Sequence, residues 1–285
     1  AARNVPHHRD RRSTQPMSAP VAITEPRLLG AAHCLATARL ERHPVPRVSE
    51  TFALANLDEA YAVQAAGMQQ ALAQGRRLCG AKAGLTSAAL RAALKVDEPV
   101  YGRLFADTAC LSGEAIAWER LLQPKVEIEL ALVLGHDLPA GEISHEQFLA
   151  CIAGAVPALE INDSAIIGWQ LTLMDAVADN ISSGLYVLGD QPVPLAQLPT
   201  PNLLISLHKN AQPVLLDTSV ALHDCLATGL WLVRKLARRG QPLRAGDVLL
   251  TGALAPMLDV GPGDHVRMVM GEHGAVECSF AGTTA

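Results

Sequence analysis

The chain contains 285 residues with a formal net charge of −5, and 49% of its residues are hydrophobic but only 4% aromatic. This composition is sufficient for a large aliphatic core and excludes disorder of the whole chain. The sequence has no basic stripe with interleaved aromatic residues and no apolar run near the roughly 20 residues that span a bilayer, which argues against nucleic-acid binding and against a membrane segment. Six scattered cysteines without a Cys-x-x-Cys pair predict reduced thiols in a cytoplasmic protein.

The first part of the chain predicts a leader followed by helices. Residues 1–19 are rich in arginine and histidine and contain little that could pack, so they predict a disordered leader. Residues 20–78 are Ala-rich, with apolar positions three and four residues apart, and predict a helical region. A strand is predicted at Leu78–Lys82, a helix at Ser87–Leu94 and a loop at Asp97–Gly102.

The rest of the sequence alternates apolar strand patterns with a few helical ones. Helices are predicted at about Ser144–Ala155 and Ser219–Arg239, while residues 172–180 fit either a helix or a loop. The predicted strands are Val126–Leu134, Ala158–Ile161, Gly184–Gly189, Leu203–His208, Asp247–Gly252 and Val266–Val269. This order predicts a mixed α/β fold.

Two glutamates interrupt the most apolar of these strands. Glu127 and Glu129 are two positions apart, so their side chains point to the same face of the strand. Adjacent carboxylates raise each other's pKa, and a hard divalent cation would neutralise them, with Glu160 as the best third ligand. The alternative is a solvent-facing strand side, with Glu160 in an ordinary cap or ion pair.

Three further polar features each have two interpretations. Lys82 lies between glycines, where it could stabilise an enolate or be a surface lysine. Residues 179–184 could bind a carboxylate or form a turn, and residues 251–253 could face a substrate or form a turn. Gly-x-Ser-x-Gly and Gly-rich phosphate loops are absent from the sequence, which argues against a serine hydrolase and against nucleotide binding.

Five motifs follow one another along the chain: Lys82–Ser87, Pro124–Glu129, Leu159–Ser164, Asp179–Gly184 and Ala245–Leu254. Their order and spacing resemble the 2-keto-4-pentenoate hydratase and 4-oxalocrotonate decarboxylase group of the fumarylacetoacetate hydrolase superfamily. The resemblance runs from about residue 28 to residue 280. It implies a fumarylacetoacetase C-terminal-like β-roll core at residues 79–285, forming a single compact unit with the helical region, and assembly into a homo-oligomer.

The resemblance also assigns site residues. It places Glu127, Glu129 and Glu160 on the ligands of Mg²⁺ or Mn²⁺, and Lys82 on the active-site lysine. The residues expected to contact substrate are Thr86, Ser182, Ser183, Gly252, Ala253 and Leu254.

Two positions depart from the pattern of this group. The usual aspartate after Pro99 is Val100 here, and the arginine often found after Ser164 is Ala165. A proton-transferring acid of the group is therefore missing. Either Glu98, or its neighbour Asp97, replaces it from the same loop, or the substrate differs.

Residues 168–171 and 175–180 look like the hydratases of this group rather than its decarboxylases. The resemblance therefore implies metal-dependent addition of water to the small molecule 2-hydroxypenta-2,4-dienoate, or to a longer analogue, giving a 4-hydroxy-2-oxo acid in aromatic-compound catabolism. A 4-oxalocrotonate-type decarboxylase is the first alternative. An inactive structural partner of a pathway enzyme is the second, and a complex with a pathway decarboxylase is compatible with the hydratase.

Overall fold

The computed structural model describes residues 25–282, so the predicted leader at residues 1–19 lies outside the described residues. The α-helices in this range are α1 (Pro26–Glu41), α2 (Val48–Thr51), α3 (Leu57–Ala73), α4 (Ala88–Leu94), α5 (His145–Cys151), α6 (Leu173–Ala178) and α7 (Leu222–Arg238). The strands are β1 (Leu78–Gly84), β2 (Val100–Phe105), β3 (Ala109–Cys110), β4 (Ala115–Ala117), β5 (Pro124–Leu134), β6 (Ile152–Asp163), β7 (Ser183–Leu188), β8 (Leu203–Lys209), β9 (Gln212–Val220), β10 (Val248–Ala253), β11 (Leu258–Asp259), β12 (His265–Met270) and β13 (Ala275–Ala281).

The strands form two sheets, and the larger one carries the residues of interest. Its eight strands run in the order β2-β1-β10-β5-β6-β7-β3, with β11 added beside β5. Most neighbours are antiparallel, whereas β1 pairs with β10 and β3 with β7 in parallel. The second sheet has the order β4-β13-β12-β8-β9. The predicted mixed α/β fold with a curled sheet and an N-terminal helical region is confirmed.

Local sequence explains where the N-terminal helices begin and end. Pro26 opens α1, a position that needs no backbone N–H, and the helix stops at Arg42, whose φ is 54°. The Asn56 side chain accepts a hydrogen bond from the Glu59 N–H and so caps α3. Buried alanines on both helices permit α1 and α3 to pack closely against each other.

One hydrophobic core joins the helical region to both sheets. Its buried members come from α1, α3 and α7 as well as from the long strands β5 and β6. A smaller cluster, including Ala131, Ala158 and Leu250, lies on the face of the large sheet that also carries Glu129. Among residues 25–282, no helix combines the length and the apolar character that crossing a bilayer requires.

The structure corrects two of the predicted elements. The predicted loop at Asp97–Gly102 is wrong in its second half, because β2 begins at Val100 and is buried along its whole length. The helix predicted to reach Ala155 ends at Cys151, and β6 starts at Ile152. The small residues at the start of β6 are compatible with a helix or with a strand. Pairing of β6 with β5 and β7 stabilises the strand.

Candidate metal and substrate site

Three carboxylates converge on one face of the large sheet. Alternation along β5 places Glu127 and Glu129 on the same face, and the antiparallel register places Glu160 of β6 directly opposite Glu127. One oxygen from each carboxylate lies within 4.8 Å of the others. The predicted glutamate triad, named here the glutamate cluster, is thus brought together.

Lys82 is buried beside this cluster, so the interpretation as a surface lysine is wrong. Its side chain is only 2% exposed. The Nζ atom lies 2.5 Å from Glu160 Oε1 and donates hydrogen bonds to Asn162 Oδ1 at 2.6 Å and to the Ile181 carbonyl at 2.9 Å. The ammonium group thus has three oxygen partners: two accept hydrogen bonds, and Glu160 Oε1 forms an ion pair with it.

Sequence reasoning assigned no role to Asn162, which connects the lysine to the cluster. Its Oδ1 accepts from Lys82, while its Nδ2 donates to Glu127 Oε2 at 2.8 Å. Asn162 is two residues beyond Glu160 on the same strand, so strand alternation alone places it on the same face. That spacing was the signal that could have identified it.

The glutamate cluster carries more negative charge than its protein neighbours neutralise. Burial, followed by the nearby Glu160, raises the pKa of Glu127 to about 7, and the same causes raise the pKa of Glu129 well above its ordinary value. Within residues 25–282, Glu129 Oε1 and Glu160 Oε2 accept no hydrogen bond although both are buried. Clustered carboxylate oxygens with spare lone pairs are the donor set that a hard divalent cation prefers, so these residues fit such a metal.

Four of the six predicted substrate residues line one cavity beside the cluster. Thr86, Gly252, Ala253 and Leu254 border a space of about 760 Å³. Gly252 joins this cavity to the cluster, because its N–H donates to Glu129 Oε2 at 2.7 Å. Its φ is 102° and a Cβ would lie 2.6 Å from the Thr86 side chain, so only glycine fits at this position.

The other two predicted substrate residues lie elsewhere. Ser182 is buried, and Ser183 borders a separate cavity of about 360 Å³ between α1 and α3. Asp179, from the same motif, forms an ion pair with Arg39 at 2.7 Å and accepts the Ala165 N–H. The polar motif at residues 179–184 therefore contributes structural contacts and the Ile181 carbonyl, while its serines stay outside the larger cavity.

Glu98 lies at the rim of the larger cavity rather than inside it. Its carboxylate is ion-paired with Lys235 and accepts a hydrogen bond from Trp231 Nε1, a residue that lines the cavity. The Lys235 ammonium and the Trp231 hydrogen bond hold its pKa below the ordinary value despite the opposing effect of partial burial. Asp97 is exposed, and Val100 is buried in β2.

The fold and the site together define a class of protein: a mixed α/β chain with three clustered carboxylates, which Gly252 connects to an open cavity. The family model for the fumarylacetoacetate hydrolase C-terminal domain matches residues 72–281. The chain belongs to the fumarylacetoacetate hydrolase family.

Named enzymes of this family are similar to the chain over most of its length. The chain is 41% identical to 2-keto-4-pentenoate hydratase 1 of Dechloromonas aromatica strain RCB, over 88% of this chain and 96% of that protein. It is 44% identical to the TodF product hydratase of Pseudomonas putida strain F1, over 79% and 85% of the two chains. The solved structure of 4-oxalocrotonate decarboxylase from Pseudomonas putida G7, complexed with magnesium and adipate, is 27% identical and superposes with a TM-score of 0.82, covering 91% of this chain and 99% of that one.

Proposed function

We propose that this protein is a metal-dependent hydratase that adds water to 2-hydroxypenta-2,4-dienoate or a longer analogue in aromatic-compound catabolism. The observation that carries the proposal is the glutamate cluster, in which buried oxygens accept no hydrogen bond from the described residues and which Gly252 connects to a cavity of about 760 Å³. Identities of 41% and 44% to proteins named as hydratases support the choice of reaction.

Glu127, Glu129 and Glu160 hold a divalent cation, for which we propose Mg²⁺, with Mn²⁺ as the alternative. Magnesium suits an all-carboxylate donor set that leaves positions open. A bound divalent cation supplies Lewis-acid polarisation of the substrate's oxygen atoms. Gly252 keeps Glu129 in place through its N–H, and Asn162 does the same for Glu127.

The remaining chemistry needs a stabilised enolate and two proton movements. Ketonisation transfers the hydroxyl proton from O2 to C5 and gives an α,β-unsaturated ketone; water then adds its oxygen to C4 and a proton to C3. Lys82 keeps a positive charge fixed beside the cluster and so favours negative charge developing on the substrate. Its two hydrogen bonds and the ion pair with Glu160 hold the Nζ atom in one position during this step.

The substrate chain extends into the cavity lined by Thr86, Gly252, Ala253 and Leu254. Glu98 is proposed as the group that replaces the acid missing at Val100. With a lowered pKa it is ionised at neutral pH, so its role is to accept a proton from water rather than to donate one. In our proposal Ser182 and Ser183 support the turn next to Lys82.

A second candidate is a decarboxylase acting on a substrate of the 4-oxalocrotonate type. Two observations favour it: the superposition on the decarboxylase structure, and Arg91 in the wall of the larger cavity, a cation that a second carboxylate could approach. The hydratases share far more sequence with this chain. The complete glutamate cluster gives no support to an inactive structural partner.

Further parts of the proposal rest on sequence alone. The free cysteines are those expected of a cytoplasmic enzyme, and the family resemblance implies a homo-oligomer that can associate with a pathway decarboxylase.

The test is a turnover assay with metal removal. We expect EDTA to abolish consumption of 2-hydroxypenta-2,4-dienoate, Mg²⁺ to restore it, and Glu129→Gln to remain inactive with Mg²⁺ present. Product analysis with 4-oxalocrotonate distinguishes the two candidates, because release of CO₂ without hydration of the dienoate would establish the decarboxylase. Undiminished hydration in EDTA would refute the metal mechanism.

A further inference from the structure

The segment that follows α6 has an unusual backbone. Three consecutive non-glycine residues, Asn180, Ile181 and Ser182, have φ values of 54°, 51° and 51°. Such values are uncommon outside glycine, and for a β-branched residue such as Ile181 they are a genuine outlier. Strained conformations of this kind persist only where surrounding contacts over-determine them, and they concentrate at functional sites. We name this segment the left-handed turn.

The Asn180 side chain holds the left-handed turn against strand β2. Its Oδ1 accepts the Arg103 N–H at 2.8 Å, and its Nδ2 donates to the Arg103 carbonyl at 2.9 Å. The carboxamide thus pairs with β2 as the peptide group of a neighbouring strand would. Strand β2 lies at the edge of the large sheet, so this pairing connects the edge strand to the segment that precedes β7.

The left-handed turn has a direct contact with the candidate site. It directs the Ile181 carbonyl towards Lys82 Nζ, which donates to it at 2.9 Å. Gly102, the partner of Lys82 on β2, makes the approach possible, because a Cβ there would lie 2.6 Å from the Asn180 carbonyl and 3.1 Å from Lys82 Cγ. Two neighbouring β2 residues therefore accommodate the turn. Gly102 has no side chain to obstruct it, and the backbone of Arg103 forms hydrogen bonds with it.

We propose that Asn180 is a positioning residue for Lys82: its carboxamide fixes the left-handed turn, and the turn supplies one of the two hydrogen-bond acceptors that hold the lysine ammonium beside Glu160. Asn180 acts through Lys82 and does not contact substrate. The consequence for hydration rests on the proposed function, whereas the restraint on Lys82 is a property of the protein alone. Losing one of the two acceptors frees the ammonium to move, and a displacement of about 1 Å costs up to a hundredfold in rate.

Asn180→Gly is the decisive substitution, because glycine accepts a positive φ without strain and only the carboxamide is lost. The matched control is Asn210→Gly. Asn210 also has a positive φ of 52° and also uses its carboxamide twice, donating to Asp264 and accepting from the His265 N–H, but it lies in the β8–β9 turn.

The first readout needs neither metal nor substrate. The metal-free proteins are treated with trace acetic anhydride, and acetylation of Lys82 is measured by peptide mass spectrometry relative to the exposed Lys95. We expect labelling of Lys82 to rise about threefold or more in Asn180→Gly, and to stay at the wild-type level in Asn210→Gly. Unchanged labelling in Asn180→Gly would overturn the proposal.

The second readout is steady-state hydration with Mg²⁺ present. We expect kcat to fall on the order of tenfold in Asn180→Gly with KM nearly unchanged, and both parameters to be retained in Asn210→Gly. A change confined to KM would contradict a role through Lys82. If Asn180→Gly does not fold, Asn180→Asp takes its place, since aspartate keeps an acceptor for the Arg103 N–H and replaces the donor to the Arg103 carbonyl with a charged oxygen.

The two readouts separate two failures. Raised Lys82 labelling without dienoate turnover by the wild-type protein would refute the proposed function and leave the role of Asn180 intact. Normal turnover by the wild-type protein, together with unchanged Lys82 labelling and unchanged kcat in Asn180→Gly, would support the proposed function and refute the role of Asn180.

Discussion

Two groups of buried carboxylates lie in this protein, and their partners differ. The aspartate group consists of Asp163, Asp175 and Asp179, and both oxygens of each residue accept hydrogen bonds from the protein. In the glutamate cluster, by contrast, Glu129 Oε1 and Glu160 Oε2 accept none among the described residues. Burying an unpaired carboxylate oxygen is costly. The protein satisfies the aspartate group, whereas the glutamate cluster keeps spare lone pairs, as the proposed cation site requires.

The hydrogen bonds that each carboxylate accepts distinguish the structural aspartates from the glutamates that are proposed to bind a cation. Asp179 belongs to a motif that the sequence presents as a candidate substrate contact, yet its ion pair with Arg39 joins α1 to the end of α6. Burial alone does not distinguish the groups, because it raises the pKa of Asp179 and of Glu129 alike. The informative property is the number of lone pairs left without a donor.

The largest effect is expected for Glu129→Gln. Removing one carboxylate of the cluster should reduce hydration with Mg²⁺ on the order of 10³-fold or more, roughly 4 kcal/mol of transition-state stabilisation, while the fold is retained. Turnover assays and thermal melting measure the two effects, with the exposed Glu142→Gln as control. Substantial activity in Glu129→Gln would remove the functional distinction between the two groups.

Asp175→Ala should instead damage the fold. Asp175 is fully buried and accepts four hydrogen bonds, two from Ser49 and two from Thr172. Leaving these donors unpaired should lower the free energy of unfolding by about 3 kcal/mol. Denaturant unfolding measures the loss, and the exposed Asp190→Ala provides the control. Rescue of Asp175→Ala by Mg²⁺ would contradict its structural assignment.

The stability of the metal-free protein should depend on pH through the glutamate cluster. The pKa of Glu127 rises from 4.5 to about 7 on folding, so the native state binds more protons than the unfolded chain between these pH values. The free energy of unfolding therefore falls as pH rises through this window, by about 1–3 kcal/mol from this residue. Glu127→Gln should remove most of that fall, as measured by denaturant unfolding at pH 5 and pH 8.

Mg²⁺ provides the control for this prediction. At pH 8 we expect the cation to stabilise the wild-type protein, since it binds the ionised cluster of the native state, and to stabilise Glu127→Gln much less. Equal pH dependence in the two metal-free proteins would show that the ionisation of Glu127 costs no stability.

The smallest effect is expected for Glu98→Gln. The Glu98 carboxylate is 52% exposed and reaches the cavity only at its rim, through Trp231. We expect kcat to fall less than about tenfold, below the range typical of a general acid or base in direct contact with the reacting atoms. A loss of about a hundredfold or more, with a changed pH–rate profile, would instead show that Glu98 acts in direct contact with the reacting atoms.

The sequence by itself determined the local features of this protein. Alternation along β5 placed Glu127 and Glu129 on one face because a strand has a side-chain period of two, whatever surrounds it. Most strands and helices followed from apolar periodicity, and the ordered motifs led to the family. Strand β9 was missed because most of its residues are exposed and give no alternating apolar pattern.

Only the tertiary structure decided which groups meet and which remain unpaired. The register of β5 with β6 brings Glu160 opposite Glu127, and the docking of the left-handed turn on β2 gives Lys82 a backbone acceptor at Ile181. The same packing satisfies Asp179 through Arg39, a residue 140 positions away in sequence. Such contacts depend on strand register and on the packing of distant segments, which local periodicity does not encode. The sequence therefore identified the three glutamates as candidates, whereas it did not indicate the restraint on Lys82.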